Sequence, residues 1–456
     1  MGLKYFGTDG IRGRVGGAIF NEAWIRRLGY ALGVYGQKIA NGKPLTIVVG
    51  RDTRESGSWI SETLLEGLNE HHGYIFNVGV VPTPAVALSV IDNHATFGIV
   101  ITASHNPATD NGVKLFSAQG TKLSPEEEAE IEAIFDSLPE MPERHELRRS
   151  YPIDGLGAYV TRVRSLMHQQ CFRSLKIAVD CSNGATSEST PAVLKHFGAE
   201  VVVLNDSPNG MNINEGVGSE HTEALSEVVV RENADMGFAH DGDGDRVIFC
   251  DAGGKIVDGD QAIGILAKDL IAQNRLPGNA VVSTVQSNLG LDSAIKAAGG
   301  RVSRVDVGDR NVAALMRKSG ARLGGENSGH IILGDRSTTG DGLIAAIELI
   351  RIYQESNETL EELAGSIKLF PQKTYSLEVA EKPPLETMEN LRACIEEVTD
   401  TLGDTGRVMI RYSGTEPKLR FLVEAETNDE ANTVLQSLIK SAERDLEVLG
   451  ATISSV

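Results

Sequence analysis

Short apolar runs alternate with amphipathic stretches over the first 370 residues of this chain, and this alternation restricts the fold more than any other feature. Short apolar runs bounded by Gly or polar clusters predict strands, whereas longer stretches with apolar positions every three or four residues predict helices. Their alternation is typical of α/β proteins. Strands are predicted at 45–50, 98–102, 176–180, 200–204, 236–239, 247–250 and 280–285, and helices at 22–37, 58–71, 124–135, 189–196, 261–273 and 291–298.

The pattern changes after residue 370, where the chain predicts a smaller α+β domain. A strand-like run at 374–379 precedes a Pro-Pro break, a helix at 385–402, a hairpin formed by 408–412 and 419–425, and a helix at 429–446. We therefore expect three α/β domains with mixed sheets and a C-terminal α+β domain, with boundaries at 1–155, 156–256, 257–370 and 371–456.

A weak internal repeat supports three related domains. Three times a helical stretch leads through a Gly into a short strand and then a polar loop, although chance similarity is the alternative. The carboxyl ends of strands are where open α/β sheets place ligand sites. The three loops read TASHNP at 102–107, DGDGDR at 241–246 and GENSGH at 325–330.

Composition and missing motifs exclude several classes of protein. The 456 residues include 43 Lys and Arg against 63 Asp and Glu, a net charge of −20, which argues against a nucleic-acid partner. No P-loop, dinucleotide-binding Gly motif or His-Glu-x-x-His pair occurs, so ATPase, dinucleotide enzyme and zinc protease lose support.

The sequence also predicts a location. No run approaches the ~18 apolar residues of a membrane span, and the first residues do not resemble a signal peptide. The four cysteines are widely separated and form no Cys-x-x-Cys pair, which is typical of reduced thiols. We expect a cytoplasmic protein with no membrane partner.

The loop at 241–246 predicts a metal site. Asp241, Asp243 and Asp245 alternate with Gly, which permits the tight turn that brings alternate carboxylates together. Converging carboxylates repel unless a hard cation lies between them, so Mg²⁺ or a similar ion is implied. An EF-hand is excluded because its Gly position is Arg246 and its twelfth position is Ala252. A solvent-exposed acidic turn is the alternative.

Ser104 is a candidate nucleophile because it lies in a loop after an apolar strand, with His105 beside it. The loop lacks the Gly-x-Ser-x-Gly elbow of hydrolases, so a capped turn is the alternative. Lys114 follows an Asn-Gly turn and supplies a cation within reach of the same site, although a lone Lys is usually a solvated surface residue.

The loop at 325–330 carries four polar groups of different chemistry that suit sugar hydroxyls or an amine, although a polar Gly-rich turn is the alternative. They are Glu326, Asn327, Ser328 and His330.

The loop RYSGTEP at 411–417 predicts an anion site. Backbone N–H groups around Gly414, the hydroxyls of Ser413 and Thr415, and Arg411 form a nest suited to phosphate. The domain after residue 370 holds 9 basic and 16 acidic residues, whereas 407–420 holds 4 basic and 1 acidic. Positive charge collected in an acidic domain favours an anionic ligand over an ordinary hairpin turn.

Taken together and in this order, the four loops resemble those of the α-D-phosphohexomutase family over the whole chain. The motif YFGTDGIRG at 5–13 and the loops GENSGH and RYSGTEP are similar to the branch that acts on amino sugars. The resemblance implies four domains around a central cleft, each contributing one loop. It also implies an isomerase that interconverts glucosamine 6-phosphate and glucosamine 1-phosphate and supplies UDP-N-acetylglucosamine and cell-wall precursor synthesis.

The resemblance also implies roles for individual residues. Ser104 would carry a phosphoryl group. Mg²⁺ would be bound by this phosphoryl group together with Asp241, Asp243 and Asp245. A sugar 1,6-bisphosphate of glucosamine or glucose would be the intermediate or activator. Lys114 or His330 would transfer protons, helped by Arg12, His105 and Arg246. Glu326, Asn327 and Ser328 would bind the sugar, and Arg411, Ser413, Gly414, Thr415 and Arg420 would bind the phosphate that is not reacting.

Three other functions remain open at this point. A phosphoglucomutase or phosphomannomutase would use the same loops, because one amide does not exclude a hydroxyl substrate. A metal-dependent sugar phosphatase would use the same Ser and Mg²⁺ but release phosphate to water. A noncatalytic phosphosugar-binding protein would have the same fold without the enzymatic activity. In each case the ligand is a small phosphosugar. The protein is expected to be a monomer or a homodimer.

Overall fold

The computed structural model describes residues 3–68, 73–139, 150–413 and 417–454. The chain divides into two compact units. One comprises Met1–Gln286 with Ala298–Ser366, and the other comprises Ser287–Ala297 with Ile367–Val456. Among the described residues, no helix is both long enough and apolar enough to cross a membrane.

The first sheet combines parallel and antiparallel strands. Its strands are β1 Ile11–Arg14, β2 Leu45–Arg51, β3 Gly73–Val80, β4 Phe97–Ile101, β5 Asp110–Ser117 and β6 Tyr151–Pro152, and the accompanying helices are α1 Glu22–Ala40, α2 Ser56–Leu68, α3 Thr83–Asp92, α4 Pro125–Ser137 and α5 Gly155–Arg164. The strand order is β1-β5-β4-β2-β3-β6, with β5 antiparallel to both of its neighbours. The buried strand β4 therefore ends next to the loop that carries Ser104.

The second and third sheets repeat this plan. The second contains β7 Lys176–Asp180, β8 Glu200–Leu204, β9 Met236–His240, β10 Val247–Asp251 and β11 Ile256–Val257, with helices α6 Ser189–His196 and α7 Glu223–Glu232. The third contains β12 Ala280–Thr284, β13 Arg301–Val305, β14 Leu323–Gly325 and β15 Ile331–Leu333, with helices α8 Gly259–Ala272, α10 Asp309–Ser319, α11 Gly342–Ser356 and α12 Leu360–Gly365; the intervening helix α9, Leu289–Ala297, belongs to the second unit.

All three sheets share one topology. A central strand (β2, β7 or β12) lies between two parallel strands, and one of these continues through a loop into an antiparallel strand. The three polar loops of the sequence repeat occupy this same connection, in the hairpins β4–β5, β9–β10 and β14–β15. The prediction of related α/β domains with mixed sheets is confirmed.

The C-terminal sheet is entirely antiparallel, with the order β17-β18-β16-β19. Its strands are β16 Gln372–Val379, β17 Arg407–Tyr412, β18 Lys418–Glu424 and β19 Val448–Ser454, packed against helices α13 Glu389–Leu402 and α14 Asn428–Asp445. A separate apolar core, which includes Leu377, Leu419 and Leu438, holds this domain together. The predicted α+β character is confirmed.

Two glycines allow α1 and α2 to pack backbone against backbone. A Cβ atom at Gly29 would lie 2.0 Å from the carbonyl oxygen of Leu64, and one at Gly67 would lie 2.0 Å from that of Arg26. Backbone atoms do not move aside as a flexible side chain would. A larger residue at either position must therefore push the two helices apart.

We expect Gly29→Ala to lower the free energy of unfolding by about 1–3 kcal/mol, because overpacking outweighs the better helix propensity of Ala. Gly365→Ala in α12 is the matched control, since a Cβ there meets open space. Urea denaturation of both variants measures the difference. Equal midpoints for Gly29→Ala and the wild type would contradict this packing.

Candidate active site

The Ser104 loop meets the acidic loop of the second sheet. Ser104 Oγ donates a hydrogen bond of 2.5 Å to Asp241 Oδ2, and both side chains are buried. Because β4 and β9 each end where these loops begin, the repeated topology brings together two loops separated by more than a hundred residues. A hydroxyl is thereby held directly against a carboxylate.

Asp241, Asp243 and Asp245 converge as the sequence predicted. Each offers a carboxylate oxygen, and the three oxygens lie within 4.8 Å of one another. Asp243 Oδ1 has no hydrogen-bond partner among the described residues, although it is fully buried. Hard divalent cations prefer such oxygen ligands, and a buried carboxylate oxygen without a donor is costly. The donor set therefore fits Mg²⁺.

Two side chains donate hydrogen bonds to the other carboxylate oxygen of Asp243, Oδ2. The Thr83 hydroxyl donates to Asp243 Oδ2 at 2.6 Å, and Lys114 Nζ donates to the same oxygen at 2.8 Å and to Asp245 Oδ2 at 2.9 Å. Burial lowers the pKa of Lys114, but Asp243 and Asp245 more than offset this and leave the pKa raised. The ammonium group therefore stays charged among the carboxylates.

The carboxylates titrate differently because their neighbours differ. Burial and the charges of Asp245 and Asp243 raise the pKa of Asp241 well above its usual range. For Asp245, burial is outweighed by the charges of Lys114 and His330, which hold its pKa well below the usual range. Ionised carboxylates this close together repel one another, and a cation bound between them would remove that repulsion.

A cavity of about 340 Å³ lies beside this cluster. The Arg12 guanidinium donates to Asn106 Oδ1 at 3.1 Å and to Asp9, while Arg246 donates to Glu220 at 3.1 Å. These guanidinium groups bring positive charge to a wall that is otherwise rich in carboxylates. Residues lining the cavity include Tyr5, Thr8, Asp9, Arg12, His105, Asp245, Arg246, Gly308, Asp309, Glu326 and His330.

The two histidines of the cavity have different environments. His105 Nδ1 lies 3.4 Å from Ser104 Oγ, and burial together with nearby arginines lowers the pKa of His105 to about 3. His330 Nδ1 lies 3.6 Å from Asp245 and its Nε2 lies 3.5 Å from Asp309. Burial lowers the pKa of His330, but these carboxylates leave it raised overall. His105 is therefore neutral, whereas the neighbouring carboxylates make His330 the stronger base of the two.

Only some of the sugar-binding residues predicted in the loop between β14 and β15 line the cavity. Glu326 lines it, and its Oε1 accepts a 3.0 Å hydrogen bond from the Gly308 amide. Asn327 and Ser328 are half-buried and are not among the residues that line this cavity. The Asn327 carbonyl accepts a hydrogen bond from Gly259, so its backbone anchors α8.

Three charged residues of the site were not predicted from the sequence. Lys122 is bonded to both Asp9 and Asp309, and these two carboxylates line the cavity from the N-terminal loop and from the start of α10. Asp9 lies inside the YFGTDGIRG motif, which offered a signal, and Asp309 follows Gly308 at a helix start. Nothing in the sequence around Lys122 indicates its role.

The predicted phosphate loop belongs to the second unit. Arg411 of β17 and Arg420 of β18 occupy directly opposite positions in the antiparallel pair. Ser413 is buried, and its carbonyl accepts a 2.8 Å hydrogen bond from Lys382. Gly414 and Thr415 lie outside the described residues.

Comparison with known families identifies the class of protein. Models of phosphoglucomutase/phosphomannomutase α/β/α domain I, domain II and domain III match residues 3–141, 157–254 and 258–370, and the C-terminal domain model matches 376–441. The chain therefore belongs to the phosphoglucomutase/phosphomannomutase family. The resemblance to the α-D-phosphohexomutases is confirmed, and the activity is that of an isomerase.

Curated relatives point to one branch of the family. A phosphoglucosamine mutase of Lawsonia intracellularis is 41% identical over 443 residues, covering 96% of this chain and 98% of the relative. Another, from Geobacillus kaustophilus, is 41% identical over 458 residues, covering 98% and 99%. This chain therefore matches phosphoglucosamine mutases over nearly its whole length.

Solved structures share the fold. A phosphoglucomutase/phosphomannomutase family protein of Burkholderia thailandensis superposes with a TM-score of 0.81 at 23% identity, covering 98% of this chain and 99% of that one. An N-acetylphosphoglucosamine mutase of Aspergillus fumigatus, in complex with GlcNAc-6P and magnesium, gives a TM-score of 0.66 at 18% identity, covering 97% and 96%. At these identities the likeness extends to the fold alone.

Proposed function

We propose that the protein interconverts glucosamine 6-phosphate and glucosamine 1-phosphate through a phosphorylated Ser104. The observation that carries this proposal is the 2.5 Å hydrogen bond from Ser104 Oγ to Asp241, one of three converging aspartates beside a cavity of sugar size. The phosphoglucosamine mutase relatives support the choice of an amino sugar.

The chemistry is two phosphoryl transfers in opposite directions. In the first, the bond from Ser104 Oγ to phosphorus breaks and a new bond joins phosphorus to the free sugar hydroxyl, giving a bisphosphate. The hydroxyl loses its proton to a base, and Ser104 Oγ recovers one proton. The bisphosphate then turns around and returns its other phosphoryl group to Ser104, so phosphate and protons balance.

Side chains of the cavity supply charge and proton transfer. Arg12 and Arg246 neutralise the charge of the phosphoryl group, and the neutral His105 lies within reach of Ser104 Oγ. His330 lines the cavity, whereas the Lys114 ammonium is committed to three carboxylates. We therefore assign the proton transfer to and from the sugar hydroxyl to His330 rather than Lys114.

Asp241, Asp243 and Asp245, with the phosphate on Ser104, would hold Mg²⁺. A divalent cation there supplies Lewis-acid stabilisation of the charge on the phosphoryl group. Glu326 would accept hydrogen bonds from sugar hydroxyls, with Asn327 and Ser328 as further sugar ligands. A sugar 1,6-bisphosphate would restore the phosphoryl group when the intermediate escapes. A cytoplasmic location and a homodimer stay predictions.

The decisive assay follows isomerisation of glucosamine 6-phosphate by purified protein with Mg²⁺ and a trace of sugar bisphosphate. Turnover of glucosamine 1-phosphate should exceed that of glucose 1-phosphate, and preference for glucose would overturn the assigned substrate. Free phosphate should stay far below the sugar that is isomerised. Phosphate release that keeps pace with sugar turnover would instead indicate a phosphatase.

We expect Arg411→Ala to raise KM for the sugar phosphate by about 10–100-fold and to change kcat less, because a charge-assisted contact to phosphate contributes about 1.5–3 kcal/mol. Arg392→Ala is the control, since that exposed arginine in α13 lies outside the phosphate loop. Steady-state kinetics of both variants measure the effect. Unchanged kcat and KM for Arg411→Ala would remove this loop from substrate binding.

A further inference from the structure

The backbone of Ser104 adopts a conformation that serine rarely adopts. Its φ angle is +53°, in the left-handed region, and the residue is completely buried. Non-Gly residues remain there only where the surrounding structure determines the conformation, and such positions cluster at active sites. The contacts that impose this conformation on Ser104 are therefore part of how its hydroxyl is aimed.

A closed ring of hydrogen bonds surrounds the Ser104 backbone. The Ser104 amide donates to Thr102 Oγ1 at 2.8 Å, and this hydroxyl donates to Asp52 Oδ2 at 2.6 Å. Arg54 Nε donates to the same Asp52 oxygen at 2.9 Å, and Arg54 Nη2 donates to the Ser104 carbonyl at 3.0 Å. All four side chains are inaccessible to solvent. Both backbone polar groups of Ser104 are thus fixed.

The fold explains why this ring can form. Strands β2 and β4 are parallel neighbours, so their carboxyl ends meet at one edge of the sheet. Asp52 follows β2, and Thr102 follows β4. Arg54, two residues further along, lies between the end of β2 and the start of α2, where its guanidinium can reach across to the neighbouring loop.

Arg54 also donates hydrogen bonds to other backbone carbonyls of the same loop. Besides Ser104, it donates to the carbonyl oxygens of Asn106 at 2.7 Å, Pro107 at 2.5 Å and Asp110 at 3.0 Å. Asn214, from the connection between β8 and α7, donates a further 2.8 Å hydrogen bond to the Ser104 carbonyl. A buried cation is expensive unless its donors are used, and here they define the path of one loop.

We propose that Arg54, acting through Asp52 and Thr102, is a positioning residue that fixes the direction of Ser104 Oγ for phosphoryl transfer. None of the three bonds to Ser104 Oγ. Arg54 and Thr102 act on the Ser104 backbone, and Asp52 joins them. They hold the hydroxyl toward Asp241 in advance, so the transfer needs no rearrangement of the loop. This proposal rests on the proposed role of Ser104 as the phosphoryl carrier.

The test removes each half of the ring separately. Thr102→Val deletes the hydroxyl that holds the Ser104 amide, and Thr102→Ser restores it. Arg54→Gln removes the guanidinium from the carbonyls. We expect kcat to fall about 10–100-fold in Thr102→Val and Arg54→Gln with KM nearly unchanged, since small misplacement of a reacting group costs up to about 10²-fold. Thr102→Ser should recover most of the lost kcat.

Controls separate positioning from simple loss of stability. Arg26 of α1 forms a partly buried ion pair with Glu66 of α2, with Nε to Oε2 at 2.8 Å. Arg26→Gln should lower Tm while kcat stays at the wild-type value. If Arg54→Gln does not fold, Thr102→Val and Thr102→Ser decide the question.

The outcomes distinguish this proposal from the proposed function. An active wild type with kcat within twofold in Thr102→Val, or no recovery in Thr102→Ser, would overturn the positioning role alone. A wild type that does not isomerise the sugar phosphate would overturn the proposed function and the positioning with it. A loss of kcat in Arg26→Gln equal to that in Arg54→Gln would also overturn the proposal, because stability would then explain the effect.

Discussion

Replacing Ser104 by alanine is expected to abolish isomerisation, with kcat reduced by at least about 10⁴-fold, as for other enzymes that lose their covalent nucleophile. The variant removes the hydroxyl that donates to Asp241 at the edge of the carboxylate cluster. The fold should survive because Ala removes only Oγ from a position whose backbone is held by other groups. Steady-state kinetics and a thermal melt measure both expectations.

Ser61→Ala is the matched control for this variant. Ser61 is a buried serine in α2, outside the cavity, and its loss should leave kcat unchanged. If Ser104→Ala retained full activity, the phosphoryl group could not pass through this hydroxyl. A large loss of activity in Ser61→Ala would mean that the assay reports stability rather than chemistry.

Replacing Asp243 by asparagine is expected to lower kcat about 10²–10³-fold and to raise the Mg²⁺ concentration needed for half-maximal activity. The substitution removes the negative charge that faces Lys114 and the ligand position at Oδ1, whose buried oxygen has no donor among the described residues. An amide also presents N–H groups, which do not bind a cation. Calorimetric titration with Mg²⁺ measures binding independently of turnover.

Asp251→Asn is the control for Asp243→Asn. Asp251 is a buried carboxylate at the end of β10, and its Oδ1 accepts hydrogen bonds from the amides of Gly253 and Lys255 within a turn. Its loss should affect stability but not the dependence of activity on Mg²⁺. If Asp243→Asn kept the wild-type Mg²⁺ dependence, the carboxylate cluster would not be the metal site.

Much of the α/β fold could be predicted because its strands have strong local signals. The run at 200–204 contains three consecutive valines followed by a leucine, and the structure places β8 there at the same residues. The helix predicted at 124–135 is found at Pro125–Ser137, and Ser124 and Glu127 form a capping box at its start. The repeat was visible because the same strand-to-loop transition occurs at three equivalent positions.

Other elements lacked such signals. Strand β14 is Leu323–Gly325, and its two glycines are more typical of a loop, yet pairing with β12 and β15 stabilises it. Strand β19 also contains a glycine and pairs with β16, a partner far away in the sequence. Tertiary pairing outweighs local propensity in both cases.

The site was predictable where residues cluster along the chain and not where they meet only in the fold. Asp241, Asp243 and Asp245 are separated by single residues, so their chemistry could be inferred directly. Lys122 meets Asp309 only because two repeats pack together. Arg54 reaches the Ser104 loop from a neighbouring strand end, and its role depends on a sheet order that composition and periodicity do not reveal.

Mass spectrometry of the active protein shows whether Ser104 carries the phosphoryl group. Protein incubated with sugar bisphosphate and Mg²⁺ should gain the mass of one phosphoryl group, and peptide mapping should locate it on Ser104. If that phosphoryl group is isotopically labelled, excess unlabelled glucosamine 6-phosphate should replace it with an unlabelled one at a rate no slower than turnover, because the bisphosphate returns its other phosphoryl group to Ser104. Full isomerase activity with no phosphoryl group on Ser104, or with that group on another residue, would exclude Ser104 as the phosphoryl carrier.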